Sequence, residues 1–244
     1  MWHKRKVFYS LILFFMMSAC QPAQTETLPV EAPQIIKIGI QPTIGYLKEP
    51  IAACADQDAS YDVLLLEKNS YDWTQEPVDI VFTSQYAVDG LTNTFLVDEV
   101  DISIIVSTDF PTYQLNTSHL QAIFNTEPVS PTQIGLAEND TITIYGFESG
   151  SDMAAMFEYQ YGFQPQLPVD AFLAVSPQSV VEKIANGTTA IGYTLSPTVT
   201  DQVKILNIAI DNETSPIPII ASFKTELIVP QEALISCLQT TQSE

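Results

Sequence analysis

Short apolar runs and helix-like apolar spacings alternate along the 244-residue chain. Runs rich in Ile, Val and Tyr predict strands, and apolar residues that recur every three to four positions predict helices. The predicted strands are Ile35–Ile40, Tyr61–Leu66, Pro77–Phe82, Asp101–Ser107, Thr141–Ile144, Thr189–Tyr193, Val203–Ile210 and Ile217–Phe223, with Val169–Val175 extended. The predicted helices are Tyr46–Cys54, Ser118–Phe124, Ser151–Glu158, Pro177–Ala185 and Gln231–Leu238. This alternation predicts an α/β fold with largely parallel sheets, and the number of elements predicts two lobes.

One junction in this pattern predicts a binding site. The strand Thr141–Ile144 leads into a turn that contains Gly146 and Gly150, and a helix follows. Such a junction gathers free backbone N–H groups and the positive end of a helix dipole. We therefore expect a small acceptor-bearing ligand here, with the Ser149, Gly150 and Ser151 turn holding it. The alternative is that Ser151 or Asp152 only caps its own helix.

Two further predicted strands end in polar residues. Thr43 lies in the turn after the first strand, and Thr83, Ser84 and Gln85 follow the third. Open α/β sheets place ligands at the carboxyl ends of their strands. These four residues therefore join the predicted ligand-binding site.

The N-terminal segment has the features of a secretion signal. A basic stretch precedes the apolar run Val7–Met17, and small residues stand just before Cys20. This resembles a bacterial lipobox, which implies a signal peptide over residues 1–19, lipidation of Cys20 and anchoring at the extracytoplasmic face of the cell membrane. A membrane-spanning anchor is the alternative, but the run is shorter than the roughly 20 residues that a spanning helix needs. Residues 20–34, rich in Pro, Thr, Gln and Glu, predict a tether.

Charge removes several classes of function. The formal net charge is −20, and loss of Lys4, Arg5 and Lys6 with the signal would leave 6 basic against 29 acidic residues, or −23. No arginine and one histidine, His119, would remain. We therefore expect neither nucleic acid nor an anionic membrane surface as a partner, and no cofactor or His/Cys metal site. Asp56–Glu67 imitates calcium-loop spacing but lacks the required glycine, which predicts a solvated acidic loop.

Cys54 and Cys237 are the two cysteines that remain when Cys20 is lipidated. An even number in an oxidising compartment predicts a disulfide that ties the first helix of the body to the last. Two buried free thiols are the alternative.

The order of the segments from Ile102 to Tyr193 resembles the type 2 periplasmic-binding-protein fold, in its PstS-like branch of ABC-transporter substrate-binding lipoproteins. The similar pieces are Ile104–Val106 followed by Asp109–Pro111, Leu120–Phe124, Ile144–Phe157, and Val180–Ile184 with Ala190–Tyr193. The resemblance implies mixed sheets in two lobes with two crossovers, lobe one at 35–100 plus 197–240 and lobe two at 101–196. It also implies a monomeric solute-binding protein that holds its ligand between the lobes and delivers it to an ABC permease.

The chain also departs from this family. Tyr145 stands where the family's phosphate-binding arginine precedes the turn, and Gln85 stands where phosphate binders carry an acidic residue. A buried phosphate needs charge-assisted donors, so these residues favour a neutral or weakly charged ligand over phosphate or a similar oxyanion, with Tyr145 or Phe147 offering a ring face.

Two rival classes remain. A serine hydrolase needs a base beside Ser149 or Ser151, whereas His119 is predicted on a different helix and no Gly-x-Ser-x-Gly motif is present. We therefore predict that the protein is not an enzyme. A lipid-anchored sensor or adhesion module with the same fold is the main alternative to a transporter component.

Overall fold

The computed structural model describes residues 33–68, 73, 77–84, 91, 93–111, 114–125, 130–134, 136–209 and 215–241. The predicted signal peptide, Cys20, most of the tether and Gln85 lie outside the described residues. Within these ranges no helix has the length and apolar character that crossing a bilayer requires.

The first sheet has five strands in the order β2-β1-β3-β12-β4. They are β1 (Gln34–Ile40), β2 (Tyr61–Glu67), β3 (Ile80–Ser84), β4 (Asn93–Val100) and β12 (Ile217–Phe223). β1 is parallel to β2 and β3, whereas β12 is antiparallel to β3 and β4. Ile36, Ile38 and Ile40 alternate along β1 and are buried, which places the core of this half under β1.

The second sheet also has five strands, in the order β10-β5-β9-β7-β8. They are β5 (Ile102–Ser107), β7 (Thr143–Gly146), β8 (Phe172–Leu173), β9 (Ala190–Leu195) and β10 (Val203–Ile205). β9 is parallel to β7 and antiparallel to β5. A two-stranded sheet joins β6 (Leu115–Asn116) to β11 (Ile208–Ala209). Both large sheets are thus mixed, as the resemblance implied. The largely parallel sheets that the alternation of elements predicted are wrong, because each sheet has two parallel and two antiparallel strand pairs.

Five α-helices complete the described structure: α1 (Lys48–Ala55), α2 (Thr117–Ile123), α3 (Asp152–Tyr161), α4 (Pro177–Ala185) and α5 (Val229–Thr241). A 3₁₀ helix, Pro42–Leu47, precedes α1, and two more lie at Pro131–Ile134 and Ser196–Thr198. The first predicted helix is therefore 3₁₀ in its first part.

Several predicted elements differ from the structure. Thr83 and Ser84 lie within β3 rather than after it, and β4 was not predicted at all. The predicted strand Val203–Ile210 contains two short strands instead, β10 and β11. These strands pair with β5 and β6, whereas the predicted boundary assigned residues from 197 onward to the first lobe. The lobe boundaries themselves stay a prediction.

A disulfide joins Cys54 of α1 to Cys237 of α5, with 5.9 Å between their Cα atoms. Of the two alternatives for these cysteines, the structure has the bonded one. The bridge fixes the two helices that pack together beside the first sheet.

The chain passes from the first sheet to the second at Asp101, between β4 and β5. The backbone N–H of Ile102 donates to Gln160 Oε1 at 2.6 Å, and Gln160 Nε2 and Tyr161 Oη donate to the Ile102 carbonyl at 3.0 Å each. The Leu206 N–H donates to the carbonyl of Ile104, two residues after Ile102 in β5. The Gln160 amide therefore bonds β5 at the next position of this ladder, as a strand residue would. The end of α3 is thereby fixed to the start of β5.

Aromatic side chains form the centre of the second half. Tyr193 of β9 is fully buried and contacts Phe124, Phe147 and Phe157, with ring centroids 4.6 to 5.4 Å apart. Burial raises the pKa of the Tyr193 hydroxyl above its ordinary value. Phe147 therefore belongs to the core, which corrects the expectation that it offers a face to a ligand.

Candidate functional site

The carboxyl ends of β1 and β3 carry a connected pair of buried polar side chains. Gln41, directly after β1, is 2% exposed, and its Oε1 accepts the backbone N–H of Ser84 at 2.9 Å and the Ser84 hydroxyl at 3.2 Å. Thr83 is also buried, at 2% exposed. Because β1 and β3 are adjacent parallel strands, their polar ends meet at one edge of the sheet. Gln41 was not among the predicted site residues.

Thr43 lies in the 3₁₀ helix that follows β1, and its Oγ1 is buried without a hydrogen-bond partner. A buried hydroxyl without a partner costs roughly 1–3 kcal/mol. Only four side-chain polar atoms of the described residues share this condition, and Thr43 Oγ1 is the one beside the Gln41–Ser84 pair in sequence.

The predicted turn at Ser149–Ser151 has the geometry of a helix start. Gly150 has φ +84°, a conformation that glycine adopts without strain. Ser151 Oγ accepts the backbone N–H of Ala154 at 3.3 Å, so Ser151 is the N-cap of α3. Ser149 and Gly150 are exposed, and Gln164 Nε2 approaches Ser149 Oγ at 3.4 Å. The capping alternative for Ser151 therefore holds, and the Ser151 N–H is itself bonded to the Glu148 carbonyl at 3.0 Å.

Tyr145 stands four residues before this turn and stacks on Phe172 of β8. The ring centroids are 5.4 Å apart and the planes are inclined by 27°. Phe172 is 57% exposed, although it belongs to the edge strand next to β7. Phe172 is a second residue that sequence reasoning missed, because the contact joins strands on either side of α3.

Strand pairing relates the two sets of residues to the crossover. In the first sheet, Ser84 pairs with Ile219 of β12. Ile217, two residues earlier in β12, pairs with Val100 at the end of β4. In the second sheet, Tyr145 pairs with Gly192 of β9. Leu195, three residues later in β9, pairs with Ile102. Both polar ends thus lie at the edges of the sheets nearest the crossover.

Two donors near this edge, the Tyr46 hydroxyl and the Lys48 ammonium group, already have carboxylate partners. Tyr46 Oη donates to Asp98 Oδ2 at 2.6 Å, and burial together with this carboxylate raises the pKa of Tyr46 far above its ordinary value. Lys48 pairs with Glu67. Tyr46 is therefore a neutral donor committed to Asp98, and Lys48 already has a carboxylate partner.

His119 takes part in the cap at the start of α2. The His119 N–H donates to Asn116 Oδ1 at 3.0 Å, and His119 Nδ1 accepts the Asn116 N–H at 3.2 Å, which is a capping box for α2. No group of three or more His, Cys, Asp or Glu with metal-binding geometry occurs among the described residues.

Comparison with known proteins gives similarity in structure only. No family model matches the sequence, and no curated protein matches it. A structure named as that of a phosphate ABC transporter substrate-binding protein with bound phosphate, from Clostridium perfringens, is 16% identical, with a TM-score of 0.70 over 84% of this chain and 93% of that one. An ABC-type phosphate transport receptor from Vibrio cholerae is 17% identical, with a TM-score of 0.62 over 86% and 95%.

The fold is that of the two-lobed periplasmic binding proteins. The predicted fold class is therefore confirmed. The reduced OxyR regulatory domain of Pseudomonas aeruginosa is also similar in structure to this chain, at 10% identity and a TM-score of 0.63 over 86% of this chain and 98% of that domain. The similar structures are thus named as phosphate transport proteins and as a regulatory domain.

Proposed function

We propose that this chain is a solute-binding protein that holds its ligand where the carboxyl ends of β1 and β3 face the turn before α3. The observation that carries the proposal is the buried Thr43 Oγ1 without a partner, two residues after Gln41, whose side chain bonds Ser84. A ligand group that bonds this hydroxyl removes its desolvation cost, so the site gains more from binding than an already satisfied hydroxyl would. The proposed ligand set also contains Thr83, Ser84, Tyr145, Ser149, Gly150 and Ser151, and Gln85 remains a predicted member.

The ligand is a neutral or weakly charged solute. No arginine follows residue 5, and Tyr145, which stacks on Phe172, stands where the resemblance expects a phosphate-binding arginine. Hydroxyls, amides and backbone N–H groups suit neutral acceptors and donors, and an exposed ring beside them suits an apolar face on the ligand. A phosphate-like oxyanion is the second candidate, favoured by the phosphate-binding proteins that share the fold.

The resemblance and the N-terminal segment support the cellular setting of the proposal. Signal cleavage before Cys20 and lipidation of that cysteine would keep the monomeric body at the extracytoplasmic face of the membrane. There the protein would deliver solute to an ABC permease. A lipid-anchored sensor is the alternative, and the OxyR regulatory domains with this fold favour it over an adhesion module. A Cys20→Ser variant should lose lipid labelling and membrane association.

A thermal-shift panel tests the binding site. Phosphate, sulfate, sugars and amino acids are added to the protein, since a ligand that binds only the folded state stabilises it by about 2.7 kcal/mol at a hundred times its dissociation constant. Thr43→Val removes the hydroxyl without changing side-chain volume. It should leave the ligand-free protein equally or slightly more stable and should abolish most of the ligand-induced shift.

The controls separate binding from folding. Thr200→Val makes the same change at an exposed threonine and should keep the full shift. Ser151→Ala should cost about 1 kcal/mol in the free protein because it removes a helix cap. If Thr43→Val destabilises the free protein and leaves the ligand-induced shift intact, the proposed site is wrong. If no compound in the panel raises the melting temperature, the sensor alternative gains.

A further inference from the structure

A cavity lies at the end of the first sheet farthest from the crossover at Asp101. Its volume is about 510 Å³, and its lining includes Phe95, Phe223, Glu226 and Glu232. Phe223 pairs with Asn93 in the last rung between β12 and β4. Ser84 pairs with Ile219, near the other end of β12. The cavity is therefore separate from the proposed solute site.

The floor of the cavity is aromatic. Phe95 and Phe223 stack with centroids 5.6 Å apart and planes inclined by 18°. Phe223 is buried, whereas Phe95 is 44% exposed and keeps a ring surface open to solvent. A large exposed ring at a concave surface is a common feature of ligand sites.

The rim of the cavity is acidic. Glu226 and Glu232 are exposed and come from the segment that leads from β12 into α5 and from the first turn of that helix. Asn93 Nδ2 donates to the Thr225 carbonyl at 3.4 Å, which holds this segment against β4. None of the described residues that line the cavity is basic. A carboxylate in a first helical turn interacts favourably with the helix dipole, which accounts for Glu232 but not for Glu226 or the open ring.

We propose that this cavity binds a small organic ammonium ion. The apolar body of such an ion packs on Phe95 and Phe223, its positive charge attracts the negative face of the Phe95 ring, and the two carboxylates balance that charge. The size of the cavity lies within the roughly 300–1,000 Å³ of small-molecule sites. The net charge of −20 raises the local concentration of cations at any concave acidic surface.

Choline and its uncharged carbon analogue, 3,3-dimethylbutan-1-ol, form a matched pair of probes of equal shape. Equilibrium dialysis of the full-length protein in non-ionic detergent, at constant ionic strength, measures both. Choline should bind with one-to-one stoichiometry and the neutral analogue should bind at least about tenfold more weakly, since it lacks the cation–π and carboxylate contacts. Phe95→Ala and the Glu226→Gln, Glu232→Gln double variant should each weaken choline binding about three- to tenfold.

Leu96→Ala is the control, because Leu96 is an exposed neighbour of Phe95 that does not line the cavity. It should bind choline as the unchanged protein does, and circular dichroism should show that all variants fold. Equal binding of the two probes, no binding of choline, or unchanged binding by the folded Phe95→Ala variant would each overturn the proposal. Loss of the proposed solute site through Thr43→Val should leave choline binding unchanged.

Discussion

The hydrogen bonds between Gln41 and Ser84 give a prediction whose size follows from the structure. Gln41→Met replaces the amide by an apolar group of similar length and removes the acceptor of two donors, the Ser84 backbone N–H and the Ser84 hydroxyl. Ser84 is 7% exposed, so water cannot readily replace the lost acceptor. An unpaired buried amide costs about 1–3 kcal/mol and the hydroxyl about 1 kcal/mol, because the hydroxyl can rotate toward another acceptor. We expect a loss of about 2–4 kcal/mol in the free energy of unfolding.

Urea titration followed by circular dichroism measures this loss, and a constant m-value shows that the unfolded state is unchanged. A chain of this size loses about 2–4 °C of melting temperature per kcal/mol, so the melting temperature should fall by about 5–15 °C. Gln57→Met, at an exposed position, should change the free energy by less than about 0.5 kcal/mol. Ser84→Ala should cost less in the Gln41→Met background than in the unchanged protein. A loss below about 0.5 kcal/mol for Gln41→Met would refute the reasoning.

Three further predictions concern stability. Reduction of the disulfide between α1 and α5, which closes a loop with a sequence separation of 183, should lower the free energy of unfolding by about 3–5 kcal/mol; equal urea midpoints with and without reductant would contradict this. Gly192→Ala should cost about 1–3 kcal/mol, because its Cβ would lie 2.8 Å from a backbone carbonyl oxygen and 3.0 Å from two side chains of α4; a melting curve like that of the unchanged protein would show that the strand has room. Burial raises the pKa of Tyr46 and of Tyr161, so the folded state keeps both protons above pH ~10 while the unfolded state loses them, and stability should fall by about 1.4 kcal/mol per pH unit for each. Tyr46→Phe and Tyr161→Phe should each flatten this fall, and an unchanged slope in both variants would contradict the reasoning.

The sequence predicts an element most accurately when residues at or next to its ends in the sequence determine its bounds. Helix α4 begins at Pro177 as expected, because Ser176 Oγ accepts the Ser179 N–H and Pro177 has the φ of a first helical residue. Strand β12 also has its predicted bounds. By contrast, β4 is an edge strand with four exposed residues in succession, Asn93 to Leu96, so it lacks the alternation that identifies strands.

In the candidate site, too, features set by neighbouring residues were predicted and contacts between distant residues were not. The glycine turn before α3 and its capping serine follow from local sequence, and both are present. The bond between Gln41 and Ser84 joins residues 43 positions apart, and the stack of Tyr145 on Phe172 depends on the pairing of β7 with β8. Sequence periodicity contains no information on which side chains meet across strands, so neither Gln41 nor Phe172 could be predicted.

The Gln160 amide, which bonds both polar groups of the Ile102 backbone, restricts where this fold can bend. Ile102 cannot change its backbone torsion angles without breaking those bonds. Asp101 is held as well, because its N–H donates to Ser196 Oγ at 3.2 Å and its carbonyl accepts the Ser196 N–H at 2.8 Å. Helix α3 starts at the Ser149–Ser151 turn and ends at this anchored residue, and ten helical residues span about 15 Å. A displacement of the turn by a solute would therefore be transmitted to the first crossover along one helix rather than through a series of loops.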